Sequence, residues 1–205
     1  MYIIDKNKPY SQDDFSYHNF IHLSPDEIVM VLNWRNHPSV RKWMLNTNII
    51  EIENHLNFIN SLKDREDCYY WLVYRNSEAV GVVSVTNIDN ENLSCESGFY
   101  LNPERINQGD GFDFTLSFQK LIFMEFKFEH LVGIILKTNK YAIINALFFG
   151  AKIIKEVLIA DMEYYITYVS KKDFCSNLDI KADKKQFAQF VYSIKKGSIS
   201  IKTND

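Results

Sequence analysis

The run from residue 112 to residue 128, Phe-Asp-Phe-Thr-Leu-Ser-Phe-Gln-Lys-Leu-Ile-Phe-Met-Glu-Phe-Lys-Phe, constrains this chain more than any other stretch. It is too long for an ordinary strand and carries its apolar residues at helical spacing, so it is predicted to be a central buried helix. Short β-rich runs stand before it: Tyr69 to Arg75, Ala79 to Asn87 and Leu93 to Leu101, separated by the turns Asn76-Ser77-Glu78 and Asp89-Asn90-Glu91-Asn92. Connections that short imply an antiparallel meander. After the helix, Leu131 to Lys137 reads as a strand, Tyr141 to Phe149 as a helix ended by Gly150, and Lys152 to Ile159 with Glu163 to Ser170 as a closing pair of strands. The order makes the chain an α/β protein.

The front end adds helices. Ser24-Pro25-Asp26-Glu27 supplies an N-cap serine, a proline at the first helical position and acids in the first turn, with Ile28, Val31, Leu32 and Arg35 following at helical spacing. That helix is predicted to stop near His37-Pro38, because the residue before a proline resists the α conformation. A second helix over Glu51 to Leu62 places Ile52, Leu56, Ile59 and Leu62 on one stripe. Residues 1–17 are expected to form an N-terminal arm or edge element, residues 18–170 the main domain, and the lysine- and serine-rich residues 171–205 an appended segment with one helix around the apolar patch Phe187 to Tyr192.

A chain of 205 residues with 46% hydrophobic content is long enough for one substantial core. Its net charge of −3 provides no global basic field, which argues against nucleic acid and an anionic membrane surface as partners. The N-terminus lacks the apolar run of a secretory signal and no stretch is long enough for a membrane span, so a cytoplasmic location is expected. Cys68, Cys95 and Cys175 are odd in number, widely spaced and without neighbouring histidines, which fits neither a disulfide framework nor a zinc site. No metal is expected.

With only 7 glycines in the chain, two in one turn are informative. Gln108-Gly109-Asp110-Gly111 lies between the strand ending at Leu101 and the long helix, so it exposes backbone N–H groups at a helix N-terminus, where the macrodipole also favours anions. The alternative is a plain connection using glycine for positive φ. The spacing excludes the Gly-x-Gly-x-x-Gly dinucleotide motif and the Gly-Lys-Ser/Thr of ATP-binding loops. Asp110, between the glycines, is expected to point into solvent, since a carboxylate aimed at phosphate would be repelled.

These residues resemble the GCN5-related N-acetyltransferase (GNAT) superfamily, whose signature is a Gln/Arg-x-x-Gly-x-Gly/Ala turn opening a helix after a strand. The family's Gln/Arg falls on Ile106, leaving Arg105 or Gln108 to substitute from a displaced register. Ser94-Cys95-Glu96-Ser97-Gly98-Phe99-Tyr100 is similar to the family's splayed strand, and Asn139, Ala142 and Phe149-Gly150-Ala151-Lys152 to its Asn-x-x-Ala segment. The resemblance implies a GNAT fold: a central, mostly antiparallel mixed sheet of about seven strands with flanking helices. It also implies acetyl-CoA as co-substrate, held by Phe99, Tyr100, Leu101, Gln108, Gly109, Asp110, Gly111 and Asn139. Trp34-Arg35-Asn36-His37-Pro38, Trp43-Met44 and His55-Leu56-Asn57-Phe58-Ile59 narrow the likeness to acetyltransferases of pseudaminic-acid synthesis that modify the 4-amino group of a UDP-linked amino-dideoxy sugar. That likeness implies a nucleotide-linked amino sugar as partner, Arg35 and His55 at its diphosphate, Met44, Thr86 and Tyr100 lining its pocket, and a monomer or homodimer. Without the likeness, Arg35 reads equally as a helix C-terminal cap and His55 as an exposed helical residue.

Acetylating an amine requires removing a proton from the ammonium and returning one to the coenzyme A thiolate. Glu96, on the strand beside the cofactor, is the expected base, acting through water. The superfamily's tyrosine acid falls on Ala146, with Tyr141 a distant substitute, so water is expected to protonate the thiolate. Two alternatives stay open: acetylation of a protein N-terminus or other small amine, and a non-catalytic acyl-CoA-binding module.

Overall fold

The computed structural model describes residues 4–106, 108–197 and 201. Two short N-terminal strands, β1 (Tyr10–Gln12) and β2 (Phe15–Asn19), form a hairpin whose turn residue Asp13 takes a positive φ of 54°. Helix α1 (Pro25–Asn36) starts on a complete capping box: Ser24 Oγ accepts from the Glu27 N–H at 3.3 Å, and the Ser24 N–H donates to Glu27 Oε2 at 2.7 Å. It ends where the extended His37 precedes Pro38 of the short α2 (Pro38–Arg41). Helix α3 (Ile52–Ser61) completes the front layer.

The meander follows as β3 (Tyr69–Arg75), β4 (Glu78–Asp89) and β5 (Ser94–Leu101). Helix α4 (Asp110–Lys120) runs into a π-helical turn, Leu121–Glu125, before β6 (His130–Leu136), α5 (Lys140–Phe148), β7 (Lys152–Ile159) and β8 (Met162–Ser170). The strands form one sheet in the order β1-β2-β3-β4-β5-β6-β8-β7, antiparallel everywhere except between β5 and β6. The sheet therefore has eight strands where about seven are expected. The additional pairing is the hairpin at residues 10–19, which joins the sheet edge through β2 on β3.

Alternation along the strands divides the core. Tyr17, Trp71, Val73, Val83 and Val85 join Phe114, Phe118 and Leu121 of the central helix in the larger cluster. Leu72 and Val82 pack with Val31, Ile59 and Leu62 of the front layer in the smaller one. The Tyr17 hydroxyl bonds Ser117 Oγ at 2.8 Å, and Ser117 Oγ donates to the Gln12 carbonyl at 2.8 Å, tying the hairpin to the central helix.

The described residues of the C-terminal segment hold three helices where one is expected: α6 (Lys171–Cys175), α7 (Leu178–Lys181) and α8 (Lys184–Lys195). Phe187 of α8 sets its ring 5.1 Å from those of Phe112 and Phe148, so α8 bridges the start of α4 and the end of α5. Among the described residues no helix is long and apolar enough to cross a membrane.

Candidate active site

The ladder between β5 and β6 is short. Only Ser94, Cys95 and Glu96 pair with His130, Leu131 and Val132. β5 stays paired to β4 up to Leu101, so from Ser97 onward its backbone on the β6 side faces a wedge. Backbone polar groups on that margin call for an outside partner of amide-like chemistry. At the neighbouring turn Gly109 adopts φ 93°, which a residue with a Cβ takes only under strain, and nothing lies within 4 Å of where its Cβ would stand. Among the described residues no side chain caps α4, so its first-turn N–H groups are available to an external acceptor. Gly111 sits against Leu101, whose Cδ1 would be 3.7 Å from an added Cβ. An open turn of donors beside a strand margin fits a phosphate-bearing ligand with an amide-containing arm, the chemistry of coenzyme A.

Asp110 does not point into solvent. It is buried, 8% exposed, and its carboxylate accepts from Arg105 Nε at 2.8 Å and from Arg75 Nη1 at 3.4 Å. Arg75 also pairs with Asp14 at 2.6 Å and Asp113 at 3.1 Å, Arg105 with Glu78 at 2.6 Å, and Lys184 of α8 reaches Asp113 at 2.7 Å. The repulsion that should expel the carboxylate is cancelled by two guanidiniums from elsewhere in the chain. Arg105 is thus engaged, and Asp110 raises its pKa. Gln108 donates from Nε2 to the Glu104 carbonyl at 2.5 Å. The turn offers its backbone; its neighbouring side chains serve one another.

Asn139 caps α5, its Oδ1 accepting from the Ala142 N–H at 3.3 Å. Tyr141, one residue into the helix, stands 75% exposed. Ala146 packs against the main core, as do Phe148 and Phe187.

On β5, Glu96, Gly98 and Tyr100 point to the face covered by α1 and α3, in register with Thr86, Ser84 and Val82 of β4. Between Glu96 and Tyr100, Gly98 contributes no side chain; its carbonyl accepts from Ser84 Oγ at 3.3 Å, and a Cβ there would meet that Oγ at 2.9 Å. Phe99 faces the other way, its ring 5.9 Å from Phe114. Burial pushes the Tyr100 phenol well above its ordinary pKa, with Arg35 pulling the other way. Arg35 in turn is lowered by burial, with Tyr100 and Tyr70 opposing and Arg41 adding to the shift.

Arg35 extends away from the end of its own helix. Its Nη2 donates to the Asn46 carbonyl across the α2–α3 connection at 2.7 Å, while Nη1 is buried without a hydrogen-bond partner among the described residues. The C-terminus of α1 is closed instead by the His37 N–H on the Trp34 carbonyl. His55 is not an exposed helical residue either: it is 4% exposed, and its Nε2 also has no partner among the described residues. Burial lowers its pKa, against the raising effect of a hydrogen bond to the Ile28 backbone. The buried stripe of α3 is therefore His55 and Ile59, followed by Leu62, whereas Ile52 and Leu56 are 41% and 40% exposed. Met44 is half-buried in the same connection as Asn46, and Thr86 is half-buried opposite Glu96.

The residues read from the sequence thus fall into two groups on either side of the sheet margin. Gly109, Asp110, Gly111 and the β5 backbone belong to the wedge, and Arg35, Thr86, Glu96 and Tyr100 to the face under the front helices. Asn87, which sequence reading passed over, donates from Nδ2 to Glu96 Oε2 at 3.0 Å. The only sequence signal for it was an asparagine at a strand end, a residue tolerant of left-handed backbone.

Residues 19–144 match the acetyltransferase (GNAT) domain model. The chain is 32% identical over 125 residues to acetyltransferase PseH of Campylobacter jejuni, an alignment covering 61% of this chain and 76% of the relative. The crystal structure of C. jejuni N-acetyltransferase PseH superposes with a TM-score of 0.63 at 25% identity, covering 77% of this chain and 99% of that one. The same protein in complex with acetyl coenzyme A superposes with a TM-score of 0.61 at 24% identity, covering 76% and 98%.

Proposed function

We propose a reaction from the premise that this chain belongs to the GNAT acetyltransferase family: transfer of the acetyl group of acetyl-CoA to the amino group of a UDP-linked amino-dideoxy sugar, as in nonulosonate synthesis. The observation that carries the acceptor class is Arg35. A guanidinium half-withdrawn from water with a buried, unpartnered Nη1 is costly unless a ligand completes it, and the matching ligand is an anion able to take two donors, such as a diphosphate. The unpartnered Nε2 of His55 supports the same reading.

Acetyl-CoA is proposed to lay its pyrophosphate on the N–H groups after Gly109 and its pantetheine arm along Ser97 to Leu101. The backbone of β5 near Tyr100 polarises the thioester carbonyl. Glu96, through water, takes a proton from the sugar ammonium; the free amine attacks the carbonyl carbon, the C–N bond forms and the C–S bond breaks. The second proton on nitrogen passes through solvent to the departing thiolate, since Ala146 provides no acid. A thiol has an ordinary pKa near 8.5, so it leaves without strong assistance. The cytoplasm is the proposed location.

The test is thiol release from acetyl-CoA in the presence of UDP-linked 4-amino sugars, amino-terminal peptides or polyamines. Release with the sugar nucleotide alone supports the reading; release with peptides refutes it, and cofactor binding with no release in any mixture marks a non-catalytic module. Arg35→Ala is expected to raise the KM for the sugar nucleotide at least tenfold and leave that for acetyl-CoA within twofold. An unchanged sugar-nucleotide KM removes Arg35 from the pocket.

A further inference from the structure

β4 and β5 pair regularly as far as Thr86 with Glu96, and the next pair is Asp89 with Ser94. Between them β4 spends two residues, Asn87 and Ile88, opposite the single Cys95 of β5, a bulge beside the acidic residue. Asn87 occupies that bulge with φ 48°. In a regular strand Asn87 would point with Val85 into the core on the α4 side. The left-handed backbone turns it so that its side-chain amide reaches the opposite face and donates to Glu96 Oε2 at 3.0 Å. Asparagine adopts this conformation more readily than other residues with a Cβ, and its NH2 group is a donor of the right length. Among the described residues this is the only side-chain hydrogen bond Asn87 makes, and Glu96 Oε1 has none.

We propose that Asn87 is a positioning residue for the acetyl transfer. It clamps one carboxylate oxygen of Glu96 and so aims the other at the water that relays the proton from the acceptor amine. A carboxylate on a half-buried strand position without a partner samples several rotamers, and a base out of line with its proton transfers it slowly even when its chemistry is intact. The proposal rests on the reading of Glu96 as the base.

The experiment is a double-mutant cycle with steady-state kinetics on acetyl-CoA and a UDP-linked 4-amino sugar. Asn87→Gly keeps the positive φ, and hence the bulge, and removes only the amide. Asn87→Asp keeps the shape and replaces the donor with a like charge. Asn87→Gly is expected to lower kcat about tenfold and Asn87→Asp further, with both KM values within twofold; adding Asn87→Gly to Glu96→Gln is expected to change kcat no further. A wild-type kcat in Asn87→Gly alongside a collapsed Glu96→Gln overturns the positioning role and spares the base. An equal tenfold loss in the Glu96→Gln background shows a structural effect and also overturns it. If Glu96→Gln itself turns over within a few-fold of wild type, the base assignment falls and the positioning role with it.

Discussion

Asp110→Asn separates what the ion cluster does for the fold from what it does to the cofactor. The substitution keeps the shape of a buried side chain and removes its charge, leaving Arg105 Nε, 2.8 Å away, and Arg75 Nη1, 3.4 Å away, with a weaker acceptor. A hydrogen bond between charged groups contributes about 1.5–3 kcal/mol, and the longer contact adds little. An acid in the first turn of a helix contributes about 0.3–1 kcal/mol through the macrodipole. Asn retains part of the first term, and both arginines keep their bonds to Asp14, Asp113 and Glu78, so the expected loss is about 2 kcal/mol. In a chain of this length that lowers Tm by roughly 4–8 °C. The cofactor effect has the opposite sign. Two charges 4 Å apart interact by about 1 kcal/mol in water and about 4 at the effective dielectric near a protein surface, and at about twice that separation by half as much. Removing the carboxylate beside a bound pyrophosphate should therefore lower the KM for acetyl-CoA by roughly two- to thirtyfold. Differential scanning fluorimetry of the unliganded protein reads the first effect and thiol-release kinetics the second. An unchanged Tm would show that the cluster does not hold the turn. A raised KM would show that the paired carboxylate shapes the donor array more than its charge opposes the ligand, and would refute the electrostatic reasoning.

Two further perturbations follow from local geometry. In Gly81→Ala the new Cβ meets the Tyr100 carbonyl oxygen at 2.5 Å and the Phe114 ring at 3.0 Å, neither of which can swing away, so overpacking of about 2–3 kcal/mol is expected; a thermal midpoint within 1 °C of wild type would contradict it. For His55 the folded state disfavours the proton that the unfolded chain binds near its ordinary pKa of about 6.5. Its contribution is therefore fully present above that value and lost as pH falls below it. Denaturant midpoints at pH 7.5 and 5.5 should differ less in His55→Gln than in wild type, and equal differences would show that His55 does not titrate in this range on unfolding.

The legible parts of this fold were those encoded by neighbours in sequence. The serine, proline and acids at residues 24–27 define the start of α1, short turns define the meander, and the apolar run after Phe112 defines the central helix. The hairpin at residues 10–19 was not readable as strands because β1 has three residues and its turn uses Asp13 in place of glycine. The stripe of α3 was read one step round the helix because histidine counts as polar in a pattern, and only tertiary packing against α1 buries it. The surroundings of Asp110 were beyond reach for another reason: Asp14, the β3–β4 turn pair Arg75 and Glu78, Arg105, Asp113 and Lys184 come from five separate places in the chain, and no spacing rule gathers them. Asn87 belongs to the same class, since its role depends on a bulge that sequence alternation does not announce.

The short ladder between β5 and β6 leaves this protein with something most sheets have only at their rims: a strand edge in the interior of the sheet. Open edges recruit other strands. A ligand whose amides line this one would act as a surrogate strand, so acetyl-CoA is expected to knit the two halves of the sheet together as well as to supply the acetyl group. Slower amide exchange from Ser97 to Leu101 and greater resistance to aggregation would then accompany loading, and in a cell the pool of the co-substrate would bear on the lifetime of the enzyme as well as on its rate.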